Sequence, residues 1–461
     1  MKVNVTRLLV AAAVLTGLTG LAAGSGADNT RRDEASFSND AGVQRTISLT
    51  GFDASNPFFE DLGTNGRTCF TCHRPGQGWT VTPEELAARF KATRGLDPIF
   101  RTNDGSNCEG ADVSTLARRR DAFSQLLNKG LIRVGLAVPA GAEFEIVDVD
   151  DPYHCRAPFS QASMYRRPLP TTNLGFLSTV MWDGRETVKG QAMRANLITQ
   201  ASDATTGHAQ GGAPSLAQLN AMVDFELGLF SAQRSDDAAG SLMARGAHGG
   251  PAALLTQPFC IGINDPLNIL PVMPGACAAS SGGLNPTVFT VFGAWEDADS
   301  PARRSIARGE RIFNTRAFVI DNVGGLNGPG DPIAGPIAGG TCTVCHDTPN
   351  AGNHSISMPL DLGLTTAAVR TPDLPLYTLE NRTTHATVQT TDPGRAMVSG
   401  KWADIGKFKG PILRGLAARA PYFHNGAAAT LEQAVEFYNT RFNINLSNAE
   451  KRDLLAFLRA L

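Results

Sequence analysis

Apolar residues fall at helical spacing in several separate stretches of this chain, and the ground between them is long and rich in turn-forming residues. Leu216, Leu219, Met222, Val223, Phe225 and Leu227 share one face of a helix predicted over 216–233. Leu454, Leu455, Phe457 and Leu458 do the same for a terminal helix from Lys451 to Leu461, opened by a capping box of Ser447 and Glu450. Thr430 and Gln433 form a second such box ahead of Leu431 to Tyr438. Proline and two acids at Pro83, Glu84 and Glu85 start a helix after Thr82. Further helical patterns run through Gln191, Met193, Leu197 and Ile198, and from Ser305 to Phe313. Period-two alternation is confined to Phe144 to Val149, a candidate strand. The pattern implies a mainly α fold with long loops.

The same pattern divides the chain. Lys2 and Arg7, an apolar run from Leu8 to Ala23 and small residues to Ala27 read as a secretory signal peptide over 1–27, with no membrane-spanning segment left after its removal. Residues 28–51 are polar and without periodicity, so a flexible lead is expected, with order beginning near Phe52. Between Ser235 and Pro301 glycine, proline, serine and alanine dominate, which predicts an irregular insertion or linker at 235–301. Two larger units remain, 52–234 and 302–461. The 461 residues are too many for one ordinary domain. A formal charge of -2, with no long basic run, offers nothing to nucleic acid.

Chemistry enters with a motif present once in each large unit: Cys69-Phe-Thr-Cys72-His73 and Cys342-Thr-Val-Cys345-His346. Cys-x-x-Cys-His is the attachment signature of c-type haem, and with 8 Cys and 8 His in the chain about 0.002 chance copies are expected. Two thiols three apart can add to the two vinyl groups of one porphyrin, and the next histidine binds its iron. Two covalent haem c groups, held by His73 and His346, are therefore predicted. Export agrees with this, because c-type haem is attached outside the bacterial cytoplasm. Cys108, Cys155, Cys260 and Cys277 are left over. Sequence order favours Cys108 with Cys155 and Cys260 with Cys277 among three pairings, and free buried thiols are the alternative.

Trp182-Asp-Gly-Arg185 with Gln191 downstream, the paired haem motifs, and Gly410-Pro411 through Pro421-Tyr-Phe-His424-Asn-Gly426 with Thr430-Leu-Glu-Gln-Ala together resemble the bacterial di-haem cytochrome c peroxidase superfamily, MauG-like members included. The resemblance spans about 52–461, leaving 88–165 and 235–300 unassigned. It implies two cytochrome c-like haem domains packed together, an N-terminal peroxidatic one and a C-terminal electron-transfer one, with Trp182 between the haems. Tyr438 matches the position at which MauG-like members close the second iron with tyrosine and the peroxidases use methionine; Met358 or Met397 is the alternative ligand. Gln191 matches the distal glutamine, one residue closer to the tryptophan than in the family. The family's catalytic glutamate is missing, Ala201 standing there, so Asp203 and His208 are the nearest groups able to move a proton. His424 is expected near the haem propionates, and His154 is a weaker candidate for the first iron.

The resemblance also leaves room for calcium on carbonyl oxygens around Arg419 and Pro421, although the family's asparagine ligand near Arg167 is replaced. The implied function is a periplasmic peroxidase that reduces hydrogen peroxide through a high-valent state shared by both haems by way of Trp182, refilled by a small redox protein or by a protein substrate. A di-haem electron carrier without catalysis and a protein-modifying or oxygenase enzyme are the rival readings.

Overall fold

The computed structural model describes residues 33–155, 157–267, 277 and 283–461. The signal-peptide reading of 1–27 lies outside the described residues, as does part of the 235–301 segment.

The expectation of a mainly α chain does not hold. Among the described residues helix makes up 31% and strand 17%, in ten α-helices, several short 3-10 turns and four sheets. Much of the strand content was hidden because its buried positions are polar. Asp33–Asn39 and Gly42–Ser48 form a hairpin that continues antiparallel into Leu229–Asp236 and Gly240–Ser241. Gln44, Thr46, Ser48, Ser231 and Gln233 in this sheet are all buried. They are tolerated because each makes a hydrogen bond: Thr46 Oγ1 lies 2.7 Å from Ser231 Oγ and accepts from Trp79 Nε1 at 2.9 Å, while Ser48 Oγ, Gln44 Nε2 and Gln233 Nε2 donate to the carbonyls of Gly51, Pro75 and Ser235. The stretch read as a flexible lead is thus ordered from Asp33, its backbone donors and acceptors taken up by the sheet. For the same reason the helix predicted over 216–233 stops at Leu227. Gly228 turns the chain, and Leu229 onward pairs with Gly42–Ser48.

Two smaller sheets build the unassigned region 88–165. Phe144–Asp150 pairs with Leu376–Asn381, which pairs with Thr387–Thr390, and Ile132–Ala137 pairs with Gln161–Arg166. Their inner faces enclose Phe144, Met164, Tyr377 and Met397. Cys108 and Cys155 are joined, as are Cys260 and Cys277. The first bond closes a separation of 47 residues. Replacing both Cys108 and Cys155 by Ala is expected to lower unfolding free energy by roughly 4 kcal/mol, from the freedom returned to the unfolded chain. Denaturant titration of the variant reads this directly, and an unchanged midpoint would refute it.

The segment read as a linker contributes to the largest core. Val288, Phe289, Val291, Phe292 and Trp295 are nearly inaccessible and pack with Phe313 and Phe457. The backbone there is irregular yet satisfied: Val291 N and Phe292 N donate to the Glu310 carboxylate at 2.8 Å, and Asn314 exchanges hydrogen bonds with Phe289. Glu310 and Asn314 belong to the helix Pro301–Thr315, which crosses the terminal helix Asn448–Arg459 closely. At the crossing a side-chain carbon on Gly309 would sit 2.0 Å from the Asp453 carbonyl oxygen, so glycine is required. Among the described residues no helix is long and apolar enough to cross a membrane.

Candidate haem-binding site

Each Cys-x-x-Cys-His stretch makes a single turn. Cys69–Cys72 is helical, with His73 N donating to the Cys69 carbonyl at 3.0 Å, and His346 N donates to the Cys342 carbonyl at 3.1 Å. Both imidazoles are oriented in the same way. His73 Nδ1 lies 3.0 Å from the Trp79 carbonyl oxygen, and His346 Nδ1 lies 2.7 Å from that of Gly352. A carbonyl can only accept, so Nδ1 carries the hydrogen and Nε2 is left bare, the form a metal-binding histidine needs. Burial pushes both rings down to about 4, which keeps them neutral near pH 7. The four motif cysteines form no disulfide. Burial pushes the Cys342 and Cys345 thiols up to about 12.

Each motif opens on its own cavity, of about 160 Å³ at His73 and about 230 Å³ at His346. One wall is common. Arg167, Pro168, Leu169, Pro170, Trp182 and Lys409 line both. Three cations lie at this wall or beside it with no carboxylate partner among the described residues: Arg167, Lys409 and Arg419, all under 9% exposed. Arg167 donates to the carbonyls of Lys129, Val81 and Arg419. Burial, with Arg419 as a like-charged neighbour, lowers Arg167 to about 9 and Lys409 to about 7. Buried cations lacking a counter-charge are costly, so the arrangement suits a ligand that brings anions with it. The thiol pairs, the neutral histidines, the apolar cavities and this cationic wall together fit haem, whose propionates carry the missing charge. The Arg419 carbonyl proposed for calcium already accepts from Arg167 Nη2 at 3.2 Å. Among the described residues no cluster of three His, Cys, Asp or Glu side chains is placed to hold a metal ion.

Trp182 stands in the common wall, its Nε1 donating to the Arg167 carbonyl at 2.8 Å. Its neighbour Asp183 is fully buried, bonded to Arg166 at 2.5 Å and to Arg185 at 3.2 Å, while Arg395 holds the Asp183 and Gly184 carbonyls. His424 packs edge-on to Trp182 at 6.2 Å and stacks on Phe408 at 3.9 Å; its Nε2 has no hydrogen-bond partner. Tyr438 faces the second cavity with its ring 6.4 Å from that of His346. Neither Met358 nor Met397 lines that cavity, and Met397 packs among the strands instead. His154 is exposed and belongs to a separate cleft beside Cys155.

The helix Met193–Gly207 turns Leu197, Gln200, Ala201, Ala204 and Thr205 toward the first cavity, with His208 just beyond its end. Gln191 precedes the helix and does not line the cavity; Gln200 does. Asp203 is exposed, because it falls on the opposite side of the same helix. Three lining groups were not anticipated: Arg67, Asp104 and Glu226. Burial pushes Glu226 up to about 7; one oxygen accepts from Thr171 Oγ1 at 2.7 Å and the other has no partner. An acid within the apolar stripe of 216–227 was a signal for it. Nothing in the sequence marked Asp104.

No family model matches the chain. It is 34% identical over 132 residues to cytochrome-c peroxidase IdrP2 of Denitromonas iodatirespirans, covering 26% of this chain and 36% of that protein. It is 32% identical over 140 residues to cytochrome-c peroxidase IdrP1 of Pseudomonas sp. strain SCT, with the same coverage, and 43% identical over 76 residues to cytochrome c551 peroxidase of Nitrosomonas europaea, covering 16% of this chain and 23% of that one. Over these segments the chain is similar to cytochrome c peroxidases. The chain spans about a third of the length of the first two curated relatives. A solved MauG-like protein associated with microbial copper homeostasis aligns over 95% of both chains at 14% identity with a TM-score of 0.40, below the level at which a shared fold follows.

Proposed function

We propose that this chain is a periplasmic di-haem peroxidase that reduces hydrogen peroxide at the first cavity and keeps an electron reservoir at the second, the two built around 52–234 and 302–461. The observation that carries this reading is the common wall: one segment, Arg167 to Pro170, and one indole, Trp182, border both haem-motif cavities. Haem, when attached, supplies the iron at which the oxygen–oxygen bond is reduced. His73 and His346 offer bare Nε2 atoms to that iron. His208, with Nδ1 engaged by Asp104 at 2.5 Å, keeps Nε2 free to take a proton from peroxide and return it to the departing oxygen. Trp182 supplies an oxidisable ring on the route between the cavities. Tyr438 closes the second site, where an oxygen ligand favours oxidised iron over reduced. That preference would let the second site give up an electron toward the first, the reservoir then being refilled by a small redox protein or by an oxidisable side chain of a protein substrate.

Electron paramagnetic resonance of the haem-loaded protein, before and after peroxide, tests the reading. One high-spin and one low-spin centre are expected at rest, the high-spin signal being lost with peroxide. Two low-spin centres and no peroxide turnover would establish a carrier instead. Replacing Tyr438 by Phe is expected to alter the low-spin signal alone. An unchanged spectrum would remove Tyr438 from the ligand set.

A further inference from the structure

Ala201 stands where the resemblance leads one to expect a glutamate, and the structure puts a different device at the edge of the first cavity. His208 Nδ1 lies 2.5 Å from Asp104 Oδ2, and Asp104 Oδ1 accepts from Arg67 Nη1. Asp104 is 6% exposed and Arg67 3%. The guanidinium cannot swing away, because Nε donates to the Pro98 carbonyl at 2.9 Å and Nη2 to that of Ile99 at 2.7 Å. The backbone of His208 is tied as well: its carbonyl accepts from Asn65 Nδ2 at 2.8 Å and from Arg67 Nη1 at 3.2 Å. All three side chains line the cavity that holds Cys69, Cys72 and His73. Arg67 stands two residues before Cys69, so the haem-attachment turn and the proton-handling histidine share one anchor.

The geometry points to Asp104 as a positioning residue that fixes His208 in the form protonated at Nδ1, leaving Nε2 as a proton acceptor over the first cavity in place of the family's glutamate. This rests on the peroxidase reading of the same site. A carboxylate bonded to Nδ1 can only accept, so neutral His208 carries its hydrogen there. In the reaction, the hydrogen–oxygen bond of peroxide breaks and a nitrogen–hydrogen bond forms at Nε2. As the oxygen–oxygen bond breaks, with the two electrons that the haem of the peroxidase reading would supply, the same proton passes to the departing oxygen, which leaves as water, and the ring returns to its starting form. Asp104 takes no proton; it holds the ring and stabilises its transient charge. Arg67 decides which oxygen faces which partner.

This last point makes the isosteric variant informative. In Asp104→Asn, the Arg67 guanidinium requires an acceptor, so it keeps the amide oxygen and turns the NH2 group toward His208. Nδ1 must then accept, which moves the ring hydrogen to Nε2. The haem-loaded variant is expected to react with peroxide about 10²–10⁴-fold more slowly than wild type. The infrared carbon–oxygen stretch of the reduced, carbon monoxide-bound protein is expected to fall, because a new N–H donor faces the bound ligand. Asp104→Glu keeps the acceptor and guards against a variant that does not fold; a rate within about tenfold of wild type and an unshifted stretch are expected. Wild-type rate and stretch in Asp104→Asn, alongside a slow His208→Ala, would overturn the positioning role alone. A wild-type rate in His208→Ala would overturn the assignment of His208 itself.

Discussion

Replacing Arg166 by Met is expected to cost roughly 3–5 kcal/mol of unfolding free energy, because it takes the main counter-charge from two buried carboxylates. Arg166 is bonded through Nε and Nη2 to Asp392 at 2.7 and 2.8 Å and through Nη1 to Asp183 at 2.5 Å. Side-chain exposure is 2% for Arg166 and Asp392 and zero for Asp183. Burial alone would raise Asp183, but the charges of Arg166 and Arg185 outweigh it and hold the group down at about 2, against an ordinary 3.8. A carboxylate whose folded value is depressed stabilises the fold above its unfolded value, and that contribution is lost as pH falls through the folded one. Wild-type protein should therefore lose about 2 kcal/mol from this group between pH 4 and pH 2. In Arg166→Met the desolvation remains while its main opposing charge is gone, so the sign reverses and acid should stabilise the variant over its own neutral-pH value. Denaturant melts of both proteins across pH 2 to 7 decide the matter. Parallel curves would show that Arg166 does not hold Asp183 ionised. Adding Asp183→Asn and Asp392→Asn to the variant should recover most of the loss, since paired removal of buried charge is close to neutral.

The triad also explains why the tryptophan motif could be read while its surroundings could not. Trp182-Asp-Gly-Arg185 is local, and its members meet within the turn that they form. Arg166 and Asp392, which give Asp183 its role, lie far apart in sequence, and neither sits in a periodic pattern. The haem turns were legible for the same reason as the tryptophan motif: Cys69 to His73 and Cys342 to His346 each carry their chemistry in five consecutive residues. The helices 193–207, 301–315, 431–441 and 448–459 showed their spacing, and the last two their caps as well. Strands failed where polar residues were buried in pairs, as with Thr46 and Ser231, because hydropathy registers a polar residue as exposed whether or not a partner satisfies it. Within the cavity, Gln191 was chosen by its match to the family's glutamine, and Asp203 and His208 by their nearness to the missing glutamate. The helix turned Gln200 inward and left Asp203 in solvent, while His208, just past its end, does line the cavity.

Produced without haem, by replacing Cys69, Cys72, Cys342 and Cys345 with Ser, the chain is expected to lose cooperative folding altogether. Cavities of about 160 and 230 Å³ would remain beside the two histidines. At ~24 cal/mol per Å³ these cost roughly 9 kcal/mol together, against a total stability of about 5–15 kcal/mol for a folded domain. The uncompensated cations Arg167, Lys409 and Arg419 act in the same direction. Circular dichroism on heating should show a broad, non-cooperative change, and limited proteolysis should open the chain within the regions that border the cavities. Replacing only Cys342 and Cys345 should release the core of Phe289, Phe313 and Phe457 first, because the larger cavity borders it. Adding Lys409→Met separates the two causes. If uncompensated charge contributes, the haem-free chain gains about 1–4 kcal/mol from this change, whereas the haem-loaded protein loses stability by having a propionate left unpaired. The same sign in both forms would mean that Lys409 faces no anion, and the common wall would then need another explanation for its three buried cations.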